Sequence, residues 1–364
     1  MNSTSTPGSS AATALADDAG GGHLPTLAGS CSTPSGAVIR RATIPFFIVH
    51  FIPLLAIFTG ITQRALVLGA VLYLTRLFFI TAGYHRYFAH RAFRLGRVTQ
   101  AVFAFGAGTA AQKGPLWWAA NHRAHHRYTD TERDPHSPQR GFWWSHVGWI
   151  LSDRFAATDF DAIEDFAKYP ELRWLNKHDW VAPWALGVAS YFIAGWSGLV
   201  VGFFASTIVL WHATFSINSF AHLSGSRRFA TGDSSRNNPL LALATFGEGW
   251  HNNHHHYPRS ARQGIRWWEI DVTYRVLQAL RPLRIVHDLR EPPRAAIEAR
   301  RVKKGICDIG MMRYHLSRAA RAARRTPNAD HLIHVIENTA QQLSSLAREQ
   351  ISDRGRSLDA STSA

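Results

Sequence analysis

Four apolar stretches constrain the fold of this chain more than any other feature of its sequence. They lie near residues 43–61, 65–83, 180–196 and 198–221. Each approaches the length of about 20 residues that an α-helix needs to cross a bilayer. A helix is favoured there because it satisfies its backbone hydrogen bonds internally. The sequence therefore predicts an all-α membrane protein with four transmembrane helices arranged as two hairpins.

Positive charge predicts the orientation of these helices. Two hairpins leave the N-terminus, residues 84–179 and everything after residue 222 on one side, and this side holds nearly all of the lysines and arginines. Cytoplasmic segments next to membrane helices carry an excess of these residues. We therefore expect both termini to be cytoplasmic. The apolar segment 95–112 is expected to be a re-entrant or interfacial helix rather than a fifth span.

The two ends of the chain differ in composition from the region between them. Residues 1–38 are rich in Ser, Thr, Ala and Gly and have no cationic start, which predicts a disordered tail rather than a signal or transit peptide. Residues 294–364 predict a basic helical extension with a disordered end, so the folded domain is expected to be 39–293. The formal net charge is +15, yet no zinc-finger, RNP-type or helix-turn-helix motif accompanies it, and we expect no nucleic-acid partner.

Histidines occur in three clusters at or just beyond the cytoplasmic ends of the predicted helices. The clusters are His85-Arg-Tyr-Phe-Ala-His90, His122-Arg-Ala-His125-His126 and His251-Asn-Asn-His254-His255, and His222 closes the fourth apolar stretch. Imidazole nitrogen binds iron, copper, zinc or nickel. Nine such ligands are too many for one tetrahedral zinc ion, which takes four. The clusters therefore predict two metal ions in a cytoplasmic helical cap.

The spacing within the clusters predicts how the histidines are presented. Residues at i, i+3 and i+4 share one face of a helix, so each of two sets is expected to point together. The sets are His122, His125 and His126, and His251, His254 and His255. His85 and His90 are five residues apart, which suits a helix end that bends between them. The isolated residues His50, His146 and His212 are interpreted as polar core residues with satisfied hydrogen bonds.

These motifs resemble the histidine boxes of the membrane fatty-acid desaturases, most closely a bacterial type of the acyl-CoA delta-9 (stearoyl-CoA) branch. The similarity extends beyond the histidines and covers roughly residues 40–290. The segments that carry it are Ile80–His85, Asn121–Ser137, Gly141–Trp149, Asn218–His222 and Gly247–His251. The resemblance implies a bacterial inner-membrane enzyme that inserts a cis double bond into a long-chain acyl-CoA, at C9–C10, with O2 as co-substrate.

The resemblance also implies a set of site residues. A di-iron centre would be held by nine histidines, with a metal-bound water at Asn218. The histidines are His85, His90, His122, His125, His126, His222, His251, His254 and His255. Gln112 and Trp118 match positions beside the acyl channel.

Other polar residues are candidates for supporting roles. Asp130, Asp134 and Glu248 lie beside predicted ligands and are expected to orient them, although the first two could also belong to a solvated acidic loop. Arg76 lies within a predicted span, where a charge is usually functional. Near the acyl head group, Asn121 stands where the animal enzymes have the aspartate of an Arg-Asp pair, and Lys113 and Arg154 could bind phosphates or remain solvated.

Electrons are expected from a separate protein. The sequence has no haem-binding His-Pro-Gly-Gly, no dinucleotide-binding G-x-G-x-x-G and no cysteine set for an iron–sulfur cluster. A ferredoxin, rubredoxin or cytochrome b5-like donor with its reductase would dock on the basic cytoplasmic face. Two alternatives stay open: another membrane di-iron oxygenase, such as an acyl-lipid desaturase or an alkane or carotenoid hydroxylase, and a metal transporter. Transport is disfavoured because transporters bind their cargo near the bilayer midplane.

Overall fold

A computed structural model describes residues 43–302, 308–324, 330–336, 338–339 and 342. These residues form helices and no β-strand; isolated bridges such as that between Arg94 and His287 are the only extended pairings among them. The principal helices are α1 (Ile44–Thr59), α2 (Gln63–Ala89), α3 (Arg97–Gly108), α4 (Pro115–Tyr128), α5 (Pro170–Lys177), α6 (Val181–Ser197), α7 (Ser206–Leu223), α8 (Pro239–Ala244), α9 (His251–His256), α10 (Val272–Leu280), α11 (Arg294–Glu298) and α12 (Ile309–Ala323). The predicted tail 1–38 lies outside the described residues, as does part of the extension 294–364.

Two helical runs, Gln63–Ala89 and Val181–Leu223, are long and apolar enough to cross a membrane, and α1 is a shorter apolar helix. The second run is not one straight helix, because Ala194 and Gly195 have non-helical backbone angles and Gly195 has φ +64°. Just beyond them, a Cβ atom on Gly198 would overlap the carbonyl oxygen of Ser190. In a continuous helix these two residues would be about 12 Å apart. The chain therefore folds back between α6 and the π-helical segment Gly198–Ala205 that leads into α7.

The turn after α1 and the turn after α6 lie together. The hydroxyl of Ser197 donates to the carbonyl of Gly60 at 2.9 Å, and the backbone N–H of Thr62 donates to the Ser197 hydroxyl at 3.2 Å. Farther along, α2 and the π-helical segment approach closely, because a Cβ atom on Gly69 would lie 3.5 Å from the carbonyl oxygen of Gly202. The two helical pairs thus share one end and pack through small residues.

The end of α2 differs from the predicted bend between His85 and His90. Residues Phe79–Ala89 are π-helical, and the N–H of His90 donates to the carbonyl of His85 at 3.2 Å. A π-helix closes i to i+5, so a five-residue spacing brings both imidazoles to the same side, with ring centroids 4.9 Å apart. The helix therefore continues past the predicted span end and carries His85 within it.

Helix α3 occupies the segment predicted to be re-entrant or interfacial. Its 12 residues extend about 18 Å, which is less than the hydrocarbon thickness of a bilayer of about 30 Å. Phe103 and Ala107 are buried against the core, whereas Val98 is 79% exposed. A core of buried residues including Tyr84, Phe88 and Leu116 lies between α3, α4 and the end of α2, and it supports the helix ends that carry the histidines.

Candidate metal centre

Nine buried or half-buried histidines form two adjacent groups, in each of which the ligand nitrogens lie within 4.8 Å of one another. The five-histidine group contains His85, His90, His122, His126 and His254. The four-histidine group contains His125, His222, His251 and His255. The ring centroids of His126 and His255, one from each group, are 4.5 Å apart. All nine predicted ligands are therefore brought together, in a division that the spacing did not predict.

The imidazoles face one another through their Nε2 atoms. In the five-histidine group the Nε2 atom of His254 lies 3.0 Å from that of His85 and 2.9 Å from that of His126. In the four-histidine group the Nε2 atoms of His251 and His222 are 3.0 Å apart. Several neutral imidazoles cannot all supply a proton to such a cluster, whereas a cation at its centre accepts every lone pair. The donor set fits a nitrogen-ligated metal in each group.

Each of two helices contributes to both groups, which differs from the expectation that its histidines point together. On α4, His122 and His126 join the five-histidine group while His125 joins the other. Successive residues rotate by about 100° around a helix, so positions i+3 and i+4 diverge by that angle. On α9 the assignment to groups is the opposite: His251 and His255 belong to the four-histidine group, and His254 belongs to the five-histidine group. The two helices therefore bridge the groups.

Burial keeps these imidazoles neutral. The pKa values of His122, His125 and His254 lie well below the ordinary value of 6.5, first because burial disfavours the charged ring and then because neighbouring histidines repel a second charge. The same direction holds for His126 and His251. Metals bind the neutral ring, so these imidazoles are in the protonation state that binds a metal cation at physiological pH.

Carboxylates contact the Nδ1 atoms on the far side of several rings. The Nδ1 atom of His125 lies 2.9 Å from Asp134, and that of His255 lies 2.9 Å from Asp233. His85 pairs through Nδ1 with Glu248. A carboxylate at Nδ1 fixes the tautomer and leaves the Nε2 lone pair free for a metal. Among the predicted supporting acids, Asp134 and Glu248 take such positions.

Asp130 has a less direct role. Its carboxylate accepts from the backbone N–H of Ser234 at 2.6 Å and lies 3.5 Å from the Nδ1 atom of His222. Burial, together with the charge of Asp233, raises the pKa of Asp130 to about 7. Although burial opposes ionisation of Asp233 as well, the nearby His255 holds the pKa of Asp233 well below its usual value. Asp233 is therefore the ionised member of this pair.

Two supporting residues, Asp233 and Arg86, were not singled out from the sequence. Asp233 is the one acidic residue between positions 181 and 247, a signal that could have identified it. Arg86 is fully buried and donates to Glu248 at 2.9 Å and to Asp271 at 3.0 Å. Burial alone would raise the pKa of Glu248, but His85 and Arg86 outweigh it and lower that pKa to about 2. Arg86 therefore positions the Glu248 carboxylate, which in turn orients the ring of His85.

Comparison with known protein families identifies the origin of this arrangement. Residues 63–288, more than half of the chain, match the family model of fatty acid desaturases. This chain belongs to the fatty acid desaturase family. The matched residues include all nine histidines and each of the carboxylates that contact them.

Curated relatives of this desaturase act on different acyl carriers. It is 38% identical to an sn-2 palmitoyl-lipid 9-desaturase of Nostoc sp. (strain 36) over 63% of this chain and 84% of that protein. It is 40% identical to an icosanoyl-CoA 5-desaturase of Limnanthes douglasii, over 59% of this chain and 62% of that protein. It is also 37% identical to a chloroplastic palmitoyl-monogalactosyldiacylglycerol delta-7 desaturase of Arabidopsis thaliana, over 68% and 67% of the respective lengths.

A cavity of about 1,070 Å³ adjoins the histidines of the desaturase. His85 and His122 from one group and His251 from the other contribute to its wall. The remaining lining is largely apolar and aromatic. It comes from α1, α4, α6, the π-helical segment and α7 and from the segments 111–113 and 149–156. It extends to Trp196 beside the turn after α6. Its volume and lining suit a long apolar ligand.

Most of the residues predicted to contact substrate line this cavity, namely Gln112, Lys113, Trp118 and Asn121. Asn218, which is predicted to hold a metal-bound water, lines it as well. The indole of Trp118 stacks on His122, with centroids 4.9 Å apart and planes 19° apart. The amide of Gln112 donates to Thr214 at 2.8 Å. The amide of Asn121 donates to the carbonyl of Trp117 at 3.0 Å.

Two predicted residues lie elsewhere. Arg154 is exposed and stacks over the ring of Phe155 at 5.4 Å, while its neighbour Asp153 lines the cavity. Arg76 is buried, but its guanidinium donates to the hydroxyls of Ser206 and Thr207 at 2.5 and 2.6 Å. Arg76 thus links α2 to α7 instead of supporting a histidine. For Arg76 the sequence predicts a pairing with an acid or with backbone carbonyls, and its Nε atom does donate to the backbone carbonyl of Leu72, at 3.0 Å.

Proposed function

We propose that this protein is an O2-dependent desaturase that inserts a cis double bond into a long-chain fatty acyl group, at C9–C10. One observation carries the proposal: histidines of both groups line the apolar cavity. An acyl chain in that cavity would therefore lie next to the metal centre. Family membership supports desaturation, and the relatives named above are desaturases of positions 9, 5 and 7.

Two iron ions would be held by the protein, one in each histidine group, with Asn218 holding a metal-bound water. Iron would supply the O2 chemistry that removes hydrogen from unactivated carbon. In the balanced reaction a –CH2–CH2– unit loses two hydrogens, and O2 takes these together with two electrons and two protons to give two water molecules. Asp134, Asp233 and Glu248 would keep the ligand imidazoles oriented.

The protein itself would position the substrate and keep water away from it. The aromatic and aliphatic walls would hold the acyl chain and exclude water from it. Trp118, stacked on His122, and Gln112, fixed by Thr214, would set which carbons pass beside the centre. Since the chain must lie still for one C–C bond to be selected, these residues would fix the position of the double bond.

The acyl carrier has two candidates. Resemblance to the stearoyl-CoA branch favours acyl-CoA, with Lys113, Asn121 and Arg154 near the head group. A second candidate, an acyl chain on a glycerolipid, is favoured by the charged residues of the cavity wall, which are Lys113, Asp153 and Asp179. One lysine beside two aspartates offers little attraction for the phosphates of CoA. Relatives of both kinds are known.

We further propose four membrane spans, formed by α1, α2, α6 and the run from Gly198 to the end of α7, at a bacterial inner membrane. Residues on the outer faces of α1 and α6, such as Phe58 and Phe192, are 84% and 79% exposed, as expected for contact with lipid. Both termini and the metal centre would be cytoplasmic. There a ferredoxin, rubredoxin or cytochrome b5-like donor, kept reduced by its reductase, would bind the basic face.

The test is analysis of fatty acids by gas chromatography–mass spectrometry in a host that lacks its own desaturase, co-expressing an electron donor and its reductase. The protein is expected to produce cis-9 monoenes, and the His125→Ala variant, expressed to the same level, is expected to produce none. Hydroxylated products would show instead that the protein is a hydroxylase. Full activity of His125→Ala would contradict the role of the four-histidine group.

The carrier is tested separately by a short pulse of isotope-labelled stearate. If acyl-CoA is the substrate, labelled monoene appears in the acyl-CoA pool before it appears in glycerolipids. If a glycerolipid is the substrate, the order is reversed and saturated label enters the lipids first. The two outcomes distinguish the candidates without changing the conclusion that the protein desaturates.

A further inference from the structure

Part of the C-terminal extension contacts one loop of the metal centre, although it follows the last residue of the family match at 288. The loop joins α7 to α8 and comprises residues 224–238. The contacting part comprises residues 294–302 together with Asp308, which directly precedes α12. We refer to these as the 224–238 loop and the C-terminal segment.

The 224–238 loop orients two ligands of the four-histidine group. Asp233 accepts from the Nδ1 atom of His255 at 2.9 Å, and the hydroxyl of Ser234 lies 3.2 Å from the Nδ1 atom of His222. Both of these imidazoles belong to the four-histidine group. A displacement of this loop would misorient His222 and His255 together.

Arg227 connects this loop to the C-terminal segment. Its guanidinium forms a two-pronged pair with Asp308, with distances of 2.6 Å from Nε and 3.0 Å from Nη2. Its Nη1 atom donates to the carbonyls of Asp233 and Ser235 at 2.7 and 2.8 Å. The side chains of Arg227 and Asp308 are only 6% and 17% exposed, so this pair is little screened by water.

A second set of contacts joins the same two parts of the chain. The N–H of Ala230 donates to the carbonyl of Arg300, and the N–H of Val302 donates to the carbonyl of Arg228, both at 2.8 Å. The ring of Phe229 stacks on His256 with centroids 3.9 Å apart. His256 in turn contacts the carbonyl of Ala296 at 2.6 Å. The loop is therefore held on its outer side by the C-terminal segment and contacts the histidines on its inner side.

We propose that the C-terminal segment holds the four-histidine site in its metal-binding geometry, with Asp308 as a positioning residue that acts through Arg227. Asp308 orders the guanidinium, the guanidinium fixes the carbonyls of Asp233 and Ser235, and the loop then presents Asp233 to His255. This proposal rests on the proposed di-iron function. It predicts that loss of the Asp308 carboxylate weakens one of the two iron sites and leaves the other unchanged.

The test compares iron retention in full-length wild-type protein and the Asp308→Asn variant, both purified in detergent and monodisperse. Iron release to a chelator under reducing conditions is followed optically, and iron per chain is measured by mass spectrometry. In Asp308→Asn, one iron is expected to leave at least about tenfold faster and the other at the wild-type rate. Arg227→Lys, which keeps the charge but loses the fork, is expected to behave in the same way.

A matched control removes a two-pronged pair elsewhere. Glu171 accepts from Arg97 at 2.8 and 3.0 Å in the contact between α3 and α5, and Glu171→Gln should release both irons at the wild-type rate. Wild-type rates for both irons in Asp308→Asn, or equal acceleration of both, would overturn the positioning role. A wild-type protein that binds no iron would instead overturn the proposed function, and this inference with it.

Discussion

Glu248 pairs with two buried side chains, the candidate metal ligand His85 and the positively charged Arg86. Its pKa of about 2 means that it stays ionised at physiological pH, despite burial. An ionised carboxylate at Nδ1 increases the electron density of the imidazole and fixes its tautomer. The strength of metal binding at the five-histidine group is therefore expected to depend on a residue that does not itself face the metal.

Replacing Glu248 by Gln tests this dependence. The amide keeps the shape of the side chain but removes its charge, leaving Arg86 with Asp271 as its remaining acid. We expect iron affinity to fall by about 10- to 100-fold, measured by competition with a chelator of known affinity. The Glu171→Gln variant serves as the control because Glu171 pairs with Arg97 on the surface. Unchanged iron affinity in Glu248→Gln would contradict the role assigned to Glu248.

The sequence identified the candidate metal-binding histidines better than it identified the residues that orient them. The three clusters supplied eight members of the two groups, and the resemblance to desaturases implied the full set of nine with His222. The interpretation of His50, His146 and His212 as hydrogen-bonded residues agrees with their contacts, since His212 lies 3.1 Å from His50 and 3.0 Å from His146. Asp233 was missed because it is 22 positions from His255. Only the folding of the 224–238 loop brings the two together.

At the scale of elements, helices carry the histidines and small residues bring the helices together. The spacing of the boxes predicted helical faces but not the division between groups, because that depends on where α4 and α9 lie relative to each other. The π-helical end of α2 also had no sequence signal beyond the five-residue spacing of His85 and His90. The hairpin turn near Gly195 was predictable, since Gly195 and Gly198 interrupt an apolar run.

The close contact at Gly198 gives a prediction for this hairpin. A methyl group there would overlap the carbonyl oxygen of Ser190, so Gly198→Ala should destabilise the folded protein by about 1–3 kcal/mol, the usual cost of overpacking. Thermal unfolding in detergent, followed by circular dichroism, would measure the change. Gly232→Ala is the control, because a Cβ atom at Gly232 has nothing within 4 Å. Equal unfolding temperatures for both variants would contradict the close packing of this turn.

At the scale of the molecule, the bond between Gly60 and Ser197 means that the proposed four-span topology has both hairpin turns on the same side of the membrane. The positive charge of the remaining chain predicts that this side is external. Ile61→Cys and Trp196→Cys, made in a chain whose two native cysteines are replaced by serine, should therefore react with a membrane-impermeant maleimide in intact cells.

Arg133→Cys provides the internal control for this experiment. Arg133 is exposed and lies in the segment after α4 that contributes to the metal centre, so it should react only after the cells are permeabilised. Labelling of Ile61→Cys and Trp196→Cys from opposite sides would contradict the two-hairpin topology. Labelling of all three positions from outside would contradict the cytoplasmic location of the metal centre.

The metal content of the purified protein tests the central claim most directly. We expect about two iron ions per chain in wild-type protein by inductively coupled plasma mass spectrometry, and about one in each of His126→Ala and His251→Ala, which remove a ligand from different groups. The double variant should bind essentially none. A single metal per chain in the wild type, zinc in place of iron, or two irons retained in both single variants would contradict a di-iron centre built from these two histidine groups.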